Sequence, residues 1–159
     1  LSPRDLEIVD TAMDMLNITP FADKLLTELS GGERQRVFIA RTLAQQPKYY
    51  LFDEPTSALD IRHQIDVFSM IRTISRSKNE SVLVAVHDLN FAYHFADRVL
   101  LINEGKIISI GTPDEVMTKE NIISVYGVPM QFISSKAGQY VVPDWELAEN
   151  MNHTSLTSL

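Results

Sequence analysis

The sequence contains no cysteine, so it can build no disulfide, no thiol nucleophile and no zinc site of the cysteine type. Long apolar runs are also missing. Stretches such as "VLLI" at 99–102 fall far short of the ~20 residues that cross a bilayer as a helix, and the N-terminus shows no basic region followed by an apolar signal core. Positive charge is scarce: 14 Lys and Arg against 21 Asp and Glu leave a net charge of −7. That balance argues against a general binder of nucleic-acid phosphates, although a local basic patch stays open. Finally, no G-x-x-x-x-G-K-[ST] run occurs. The backbone nest and lysine that such a loop offers to the phosphates of a nucleotide are therefore absent.

What is present suits one compact domain with a real core, at 159 residues, 45% hydrophobic and 22% charged. "SPRDLEIVDTAMDML" opens with a capping Ser2, Pro3 at the first helical position and Asp5 in the first turn, then Leu6, Val9, Met13 and Leu16 at helical spacing. This pattern predicts a helix over about 3–16, and a second short helix is expected around 21–27. Ser30 and Glu33 then form a Ser-x-x-Glu capping box. The helix they start turns Val37, Ala40 and Leu43 inward and ends before Pro47. "YYLF" at 49–52 reads as a buried strand and "SVLVAV" at 81–86 as a second β-rich run, with a helix between them carrying Ile65, Phe68, Ile71 or Arg72, and Ile74 in register. A helix near 89–96, strands at 98–103 and 106–110 joined at Glu104-Gly105, and two short helices at Thr112-Pro113 and 121–126 complete an α/β alternation. Such alternation implies a parallel sheet whose chemistry gathers at the strand C-termini. From about 128 a small hairpin with Gly138 in its turn is expected, and the last dozen residues read as a frayed tail. Three Asn-x-Ser/Thr triplets, at Asn17, Asn79 and Asn152, are best read as chance.

Three features could carry chemistry. Asp53 and Glu54 end an apolar strand; on a strand they point to opposite sides, so Asp53 can serve a Mg²⁺ shell while Glu54 orients or deprotonates an attacking water. The plainer reading is a solvated turn before Pro55. His87 ends the next apolar strand and can reach the same edge, where an imidazole could hold a phosphate oxygen or the water; alone it is more often an ordinary structural or exposed histidine. His63, His94 and His153 have no comparable placement. Ser30, Gly31 and Gly32 offer a hydroxyl and helix-start N–H groups that bind anions, or else a simple capped turn.

Their order separates these readings. "LSGGERQR", then "YYLFDEPTSALD", then "VAVHD" strongly resembles the ATP-binding cassette (ABC) ATPases of transporters: signature motif, Walker B strand, D-loop and switch histidine, over about 25–111. The resemblance implies a nucleotide-binding, ATP-hydrolysing transporter subunit of the P-loop NTPase type. Its pattern looks most like that of the importer ATPases for iron-siderophore, haem and cobalamin uptake.

On that resemblance two nucleotide-binding domains face each other head to tail. Ser30, Gly31 and Gly32 would touch the γ-phosphate of ATP held by the partner domain, and Asp60 would lie in the D-loop at the dimer interface. Asp53 would serve Mg²⁺, Glu54 would be the general base and His87 would position the water and γ-phosphate. Transmembrane permease subunits would be the other partners, at the cytoplasmic face of the membrane, with no nucleic acid involved. Because the phosphate loop is absent, the resemblance casts the chain as a partial cassette. Residues 1–45 would finish the helical subdomain, 46–127 would form the C-terminal half of the ATPase core, and 128–159 a hairpin and tail. Such a piece is expected to be inactive alone and prone to self-association through uncovered sheet surface. The alternatives are a truncated regulatory partner supplying only the signature face, a chromosome-maintenance or DNA-repair ATPase, which would show the long heptads missing here, or a translation-associated cassette protein.

Overall fold

The computed structural model describes residues 1–57, 59–77, 80–136 and 138–148. The frayed tail, Asn79 and Asn152 lie largely or wholly outside them. The chain packs as two units, Leu1–His87 and Asp88 onward.

The first unit begins with α1 (Pro3–Met15), capped as its sequence demands: the Ser2 hydroxyl accepts from Asp5 N at 3.2 Å and Asp5 Oδ2 takes the Ser2 N–H at 2.7 Å. Beyond the helix, Asn17 takes a left-handed conformation, φ 52°, a common way to stop a helix. The short helix expected at 21–27 is instead two single 3₁₀ turns, Thr19–Phe21 and Leu26–Glu28. Neither has a side-chain cap on its starting residue of the Ser/Thr/Asp kind, and a segment this short cannot meet the cost of nucleating an α-helix. α2 (Gly31–Ala44) starts at the Ser30 capping box, and Ile39, Ala40 and Leu43 point into the core with Val37 packed beside them.

β1 (Tyr49–Asp53) and β2 (Ser81–Ala85) pair in parallel, Tyr49 opposite Ser81 and Asp53 opposite Ala85, with α3 (Ile61–Ser77) as the crossover. Tyr50 and Phe52 join Val67, Met70, Ile71 and Ile74 of α3, Ala12 and Leu16 of α1, and the α2 residues in one core. The expectation of a fully buried strand is not met. Burial along β1 alternates, and Leu51 is 73% and Leu83 57% exposed, because the helices of this unit cover one sheet face only. Ile65 likewise lies outward, at 46%.

The second unit holds α4 (Leu89–Phe95), β3 (Val99–Asn103), β4 (Lys106–Gly111), α5 (Pro113–Val116), α6 (Lys119–Tyr126), β5 (Met130–Ser135) and β6 (Gly138–Pro143). β3 and β4 form an antiparallel hairpin whose turn residues Glu104 and Gly105 both have positive φ, 48° and 73°, as a two-residue hairpin requires. β5 and β6 form the second expected hairpin, with Gly138 at φ 131°. It is tied to α4 by Asn90, which donates to the Val141 carbonyl at 3.1 Å and accepts its N–H at 2.8 Å. Among the described residues of this unit, Val116, Met117, Ile122, Leu101 and Val141 are the buried large apolar ones. Among the described residues no helix is long and apolar enough to cross a membrane.

The carboxyls of Asp5, Glu33 and Glu115 are each held below their ordinary values, 3.8 for Asp and 4.5 for Glu, chiefly by the backbone N–H of Ser2, Ser30 and Thr112. A depressed folded pKa stabilises above the unfolded value and loses that stabilisation as pH falls through the folded one. Helix content followed by circular dichroism is therefore expected to hold from pH 7 to about 5 and the melting temperature to fall steadily below about pH 4; a flat profile would remove the capping carboxylates from the stability account. Ile122, with no exposed surface, predicts a loss of about 2–5 kcal/mol for Ile122→Ala in urea unfolding.

Candidate active site

The parallel register fixes where the polar strand ends fall. β1 ends on exposed Asp53, opposite Ala85, and the ladder extends one residue further because Glu54 N–H donates to the Ala85 carbonyl at 3.0 Å. His87 lies two residues beyond β2. The structure brings the two together: His87 Nε2 lies 2.6 Å from Glu54 Oε1, with the imidazole 84% and the carboxylate 41% exposed. With its proton on Nε2 the ring donates to one carboxylate oxygen.

Glu54 does not simply alternate with Asp53 along a strand. Its φ is 45°, a left-handed conformation that costs a non-glycine residue roughly 1–2 kcal/mol. The chain leaves the sheet at that residue, and the carboxylate turns to His87 instead of across the sheet. The turn from Pro55 to Leu59 holds this strain in place. Pro55 is almost wholly buried, Thr56 and Leu59 are buried, the Glu54 carbonyl accepts from Ser57 N at 3.2 Å, and the Thr56 carbonyl accepts from Leu59 N at 3.0 Å.

Ser30, Gly31 and Gly32 form the N-terminus of α2. Ser30 Oγ accepts from Glu33 N at 3.3 Å, and Glu33 Oε2 takes the Ser30 N–H at 2.7 Å. The N–H groups of Gly31 and Gly32, the first two of the helix, have no intrahelical acceptor and stand at its positive end. A side chain at 31 would meet open space, whereas a Cβ at 32 would lie 3.1 Å from Leu59 Cδ2. Gly32 is thus a close-approach glycine, packed on the turn beyond Glu54. Among the described residues no hydrogen bond or ion pair joins Ser30 to Asp53, Glu54 or His87.

Asp60 caps α3. Its Oδ1 accepts the His63 N–H at 3.0 Å and lies 2.9 Å from His63 Nδ1, and these hydrogen bonds hold its carboxyl below the usual range. His63 therefore has a partner that sequence reasoning missed, although the three-residue spacing to Asp60 was available as a signal. Gln64 was missed as well: its side-chain amide donates to the Thr56 carbonyl at 3.1 Å.

The donors present are hard carboxylate oxygens at a strand end and free N–H groups at a helix start. Among the described residues no group of three or more His, Asp or Glu gathers that could cage a metal. Exposed Asp53 fits an ion such as Mg²⁺, which takes one or two carboxylates and completes its shell with water and phosphate. The helix start fits an anion.

A family profile for ABC transporters matches residues 4–57. An ABC transporter ATP-binding protein of Methanocaldococcus jannaschii, itself uncharacterized, is 41% identical over 90% of this chain and 56% of its own length. The ferric enterobactin transport ATP-binding protein FepC of Escherichia coli is 42% identical over 81% of this chain and 48% of its own length. Other relatives are named as hemin and cobalamin import ATP-binding proteins. The chain spans about half the length of the curated relatives it matches. Among solved structures, a transporter described as an ABC transporter of the metal-chelate type, inward-facing, superposes with a TM-score of 0.81 at 33% identity, over 92% of this chain and 60% of the other. A dimeric ATP-binding cassette bound to ADP and Pi in a post-hydrolysis state gives 0.65 at 29% identity, over 71% and 49%. With the strand-end carboxylates, the neighbouring histidine and the Ser-Gly-Gly helix start all in family order, the chain belongs to the ATPase domains of ABC transporters.

Proposed function

We propose that this chain forms part of the ATP-hydrolysing subunit of an ABC importer, one that serves iron chelates, haem or cobalamin. The observation that supports hydrolysis best is the 2.6 Å contact between His87 and Glu54 at the ends of two paired parallel strands. The cargo class is supported by the names of the relatives, FepC foremost. Cargo itself would be bound by other subunits.

On this reading residues 1–45 belong to a helical subdomain, 46–127 to the ATPase core and 128–159 to a C-terminal hairpin and tail. Two such subunits face each other head to tail, docked on transmembrane permeases at the cytoplasmic side of the membrane. Mg²⁺ and ATP, when bound, supply the transferable γ-phosphoryl group and neutralise its charge. The work left to these residues is positioning and electrostatics, as phosphoryl transfer requires. Asp53 holds the metal shell, directly or through water. Glu54 orients the attacking water and accepts its proton on the oxygen that His87 leaves free. His87, 84% exposed, can turn from Glu54 toward the γ-phosphate and the water. Ser30, Gly31 and Gly32 present a hydroxyl and two free N–H groups to the γ-phosphate of the partner's ATP, and Asp60 sits at the interface between the two subunits.

In the complete subunit assembled with its permease, Glu54→Gln is expected to lower steady-state ATP turnover by about 100-fold or more while ATP is still bound; turnover near that of the unchanged protein would remove Glu54 from the role of base. This chain by itself, which has no phosphate loop, is expected to show no ATP turnover above the Glu54→Gln control. A clear difference between the two in a phosphate-release assay would contradict that.

A further inference from the structure

The Thr56 carbonyl is a junction. Thr56, itself buried, stands between the residue that would act on water and Leu59, which rests on the helix start that would grip a phosphate. Leu59 N donates to the Thr56 carbonyl at 3.0 Å and Gln64 Nε2, one turn into α3, donates to it at 3.1 Å. Two donors on one carbonyl use both of its lone pairs. Upstream of this junction is Glu54, held left-handed and aimed at His87. Downstream is Leu59, 8% exposed, whose Cδ2 is so near Gly32 that a methyl group there would lie 3.1 Å away.

We propose that Gln64 is a positioning residue that braces both working ends of the chain at once, through the Thr56 carbonyl. It touches neither nucleotide nor water. On one side it keeps the 54–59 turn closed, so that the strained backbone of Glu54 cannot relax toward a regular strand and swing the carboxylate away from His87. On the other it keeps Leu59 seated on Gly32 and so fixes the height of the α2 N-terminus. Without it the turn is closed by the Leu59 N–H on the Thr56 carbonyl and by the Ser57 N–H and hydroxyl on the Glu54 carbonyl, neutral hydrogen bonds that contribute only about 1 kcal/mol each, comparable to the strain at Glu54. Gln64 adds a further bond from a rigid 17-residue helix. The inference rests on the proposed ATPase reading. In a head-to-tail pair Glu54 and Gly32 of one chain serve different ATP molecules, so loosening one brace disturbs both sites.

The test pairs two variants with two readouts. Gln64→Met keeps the side chain's length and removes the donor; Gln64→Lys restores a donor of similar reach. In the complete subunit with its permease, Gln64→Met is expected to lower kcat about tenfold with KM for ATP changed less than about twofold, and Gln64→Lys to recover most of the loss. In the complete subunit, ¹H–¹⁵N spectra of Gln64→Met are expected to show displaced amide signals at Leu59 and Gly32 and a displaced His87 signal, with Gln64→Lys near the unchanged protein. An unchanged kcat, or a loss that Gln64→Lys does not recover while Gly32 and His87 stay in place, would overturn the brace. If the complete subunit shows no Glu54-dependent turnover, the ATPase reading fails, and the spectra alone then decide: displaced Leu59 and Gly32 amides uphold the brace, unmoved ones sink it.

Discussion

The register of β1 against β2 is the constraint on which the site depends. Asp53 lies opposite Ala85, and the Glu54 N–H continues the ladder onto the Ala85 carbonyl. Shifting that pairing by one residue would turn Tyr50 and Phe52 out of the core and carry Glu54 away from His87. The same core that buries Tyr50 and Phe52 against α3 therefore sets the distance between a carboxylate and an imidazole 33 positions apart in the chain. Packing energy fixes the geometry of the chemistry. The pair itself adds little to stability, since the imidazole is largely exposed and the carboxylate only half-buried.

A second constraint is the turn from Glu54 to Leu59. A residue in a left-handed conformation persists only where its surroundings over-determine it, and here those surroundings are Pro55, Thr56 and Leu59, all buried, with Gln64 reaching back from α3. The close approach of Leu59 to Gly32 makes this turn continuous with the signature helix. The two groups of proposed site residues in the first unit are thus mechanically adjacent, although no hydrogen bond among the described residues links Ser30 to Glu54.

Much of this was legible in the sequence, for identifiable reasons. Helix starts at Ser2 and Ser30 announce themselves because a capping box needs only local residues, and both boxes form. The two β-runs and their polar ends were readable from hydrophobicity and the hairpin turn at Glu104-Gly105 from turn chemistry; the second hairpin forms as expected, but Gly138 opens β6 opposite Ser135 instead of sitting in the turn. The sense of burial was not: Leu51 and Leu83 are as apolar as core residues, yet only one face of their sheet is covered by helices of the first unit. Nor could the sequence reveal the left-handed Glu54, since nothing in Asp-Glu-Pro distinguishes a strained turn from a regular strand end. Gln64 and His63 escaped notice because their roles depend on where the 54–59 turn places a carbonyl and where Asp60 caps α3, both tertiary facts.

In the proposed function one chain offers two different halves of a nucleotide site, the Glu54–His87 pair and the Ser30–Gly32 helix start, each to a different ATP. A crystal structure of the complete subunit carrying Glu54→Gln, grown with ATP and Mg²⁺, tests it most directly. The account predicts a γ-phosphate held between Ser30, Gly31 and Gly32 of one copy and residues 54 and 87 of the other. A γ-phosphate touching both sets of residues within the same copy, or neither set, would contradict it.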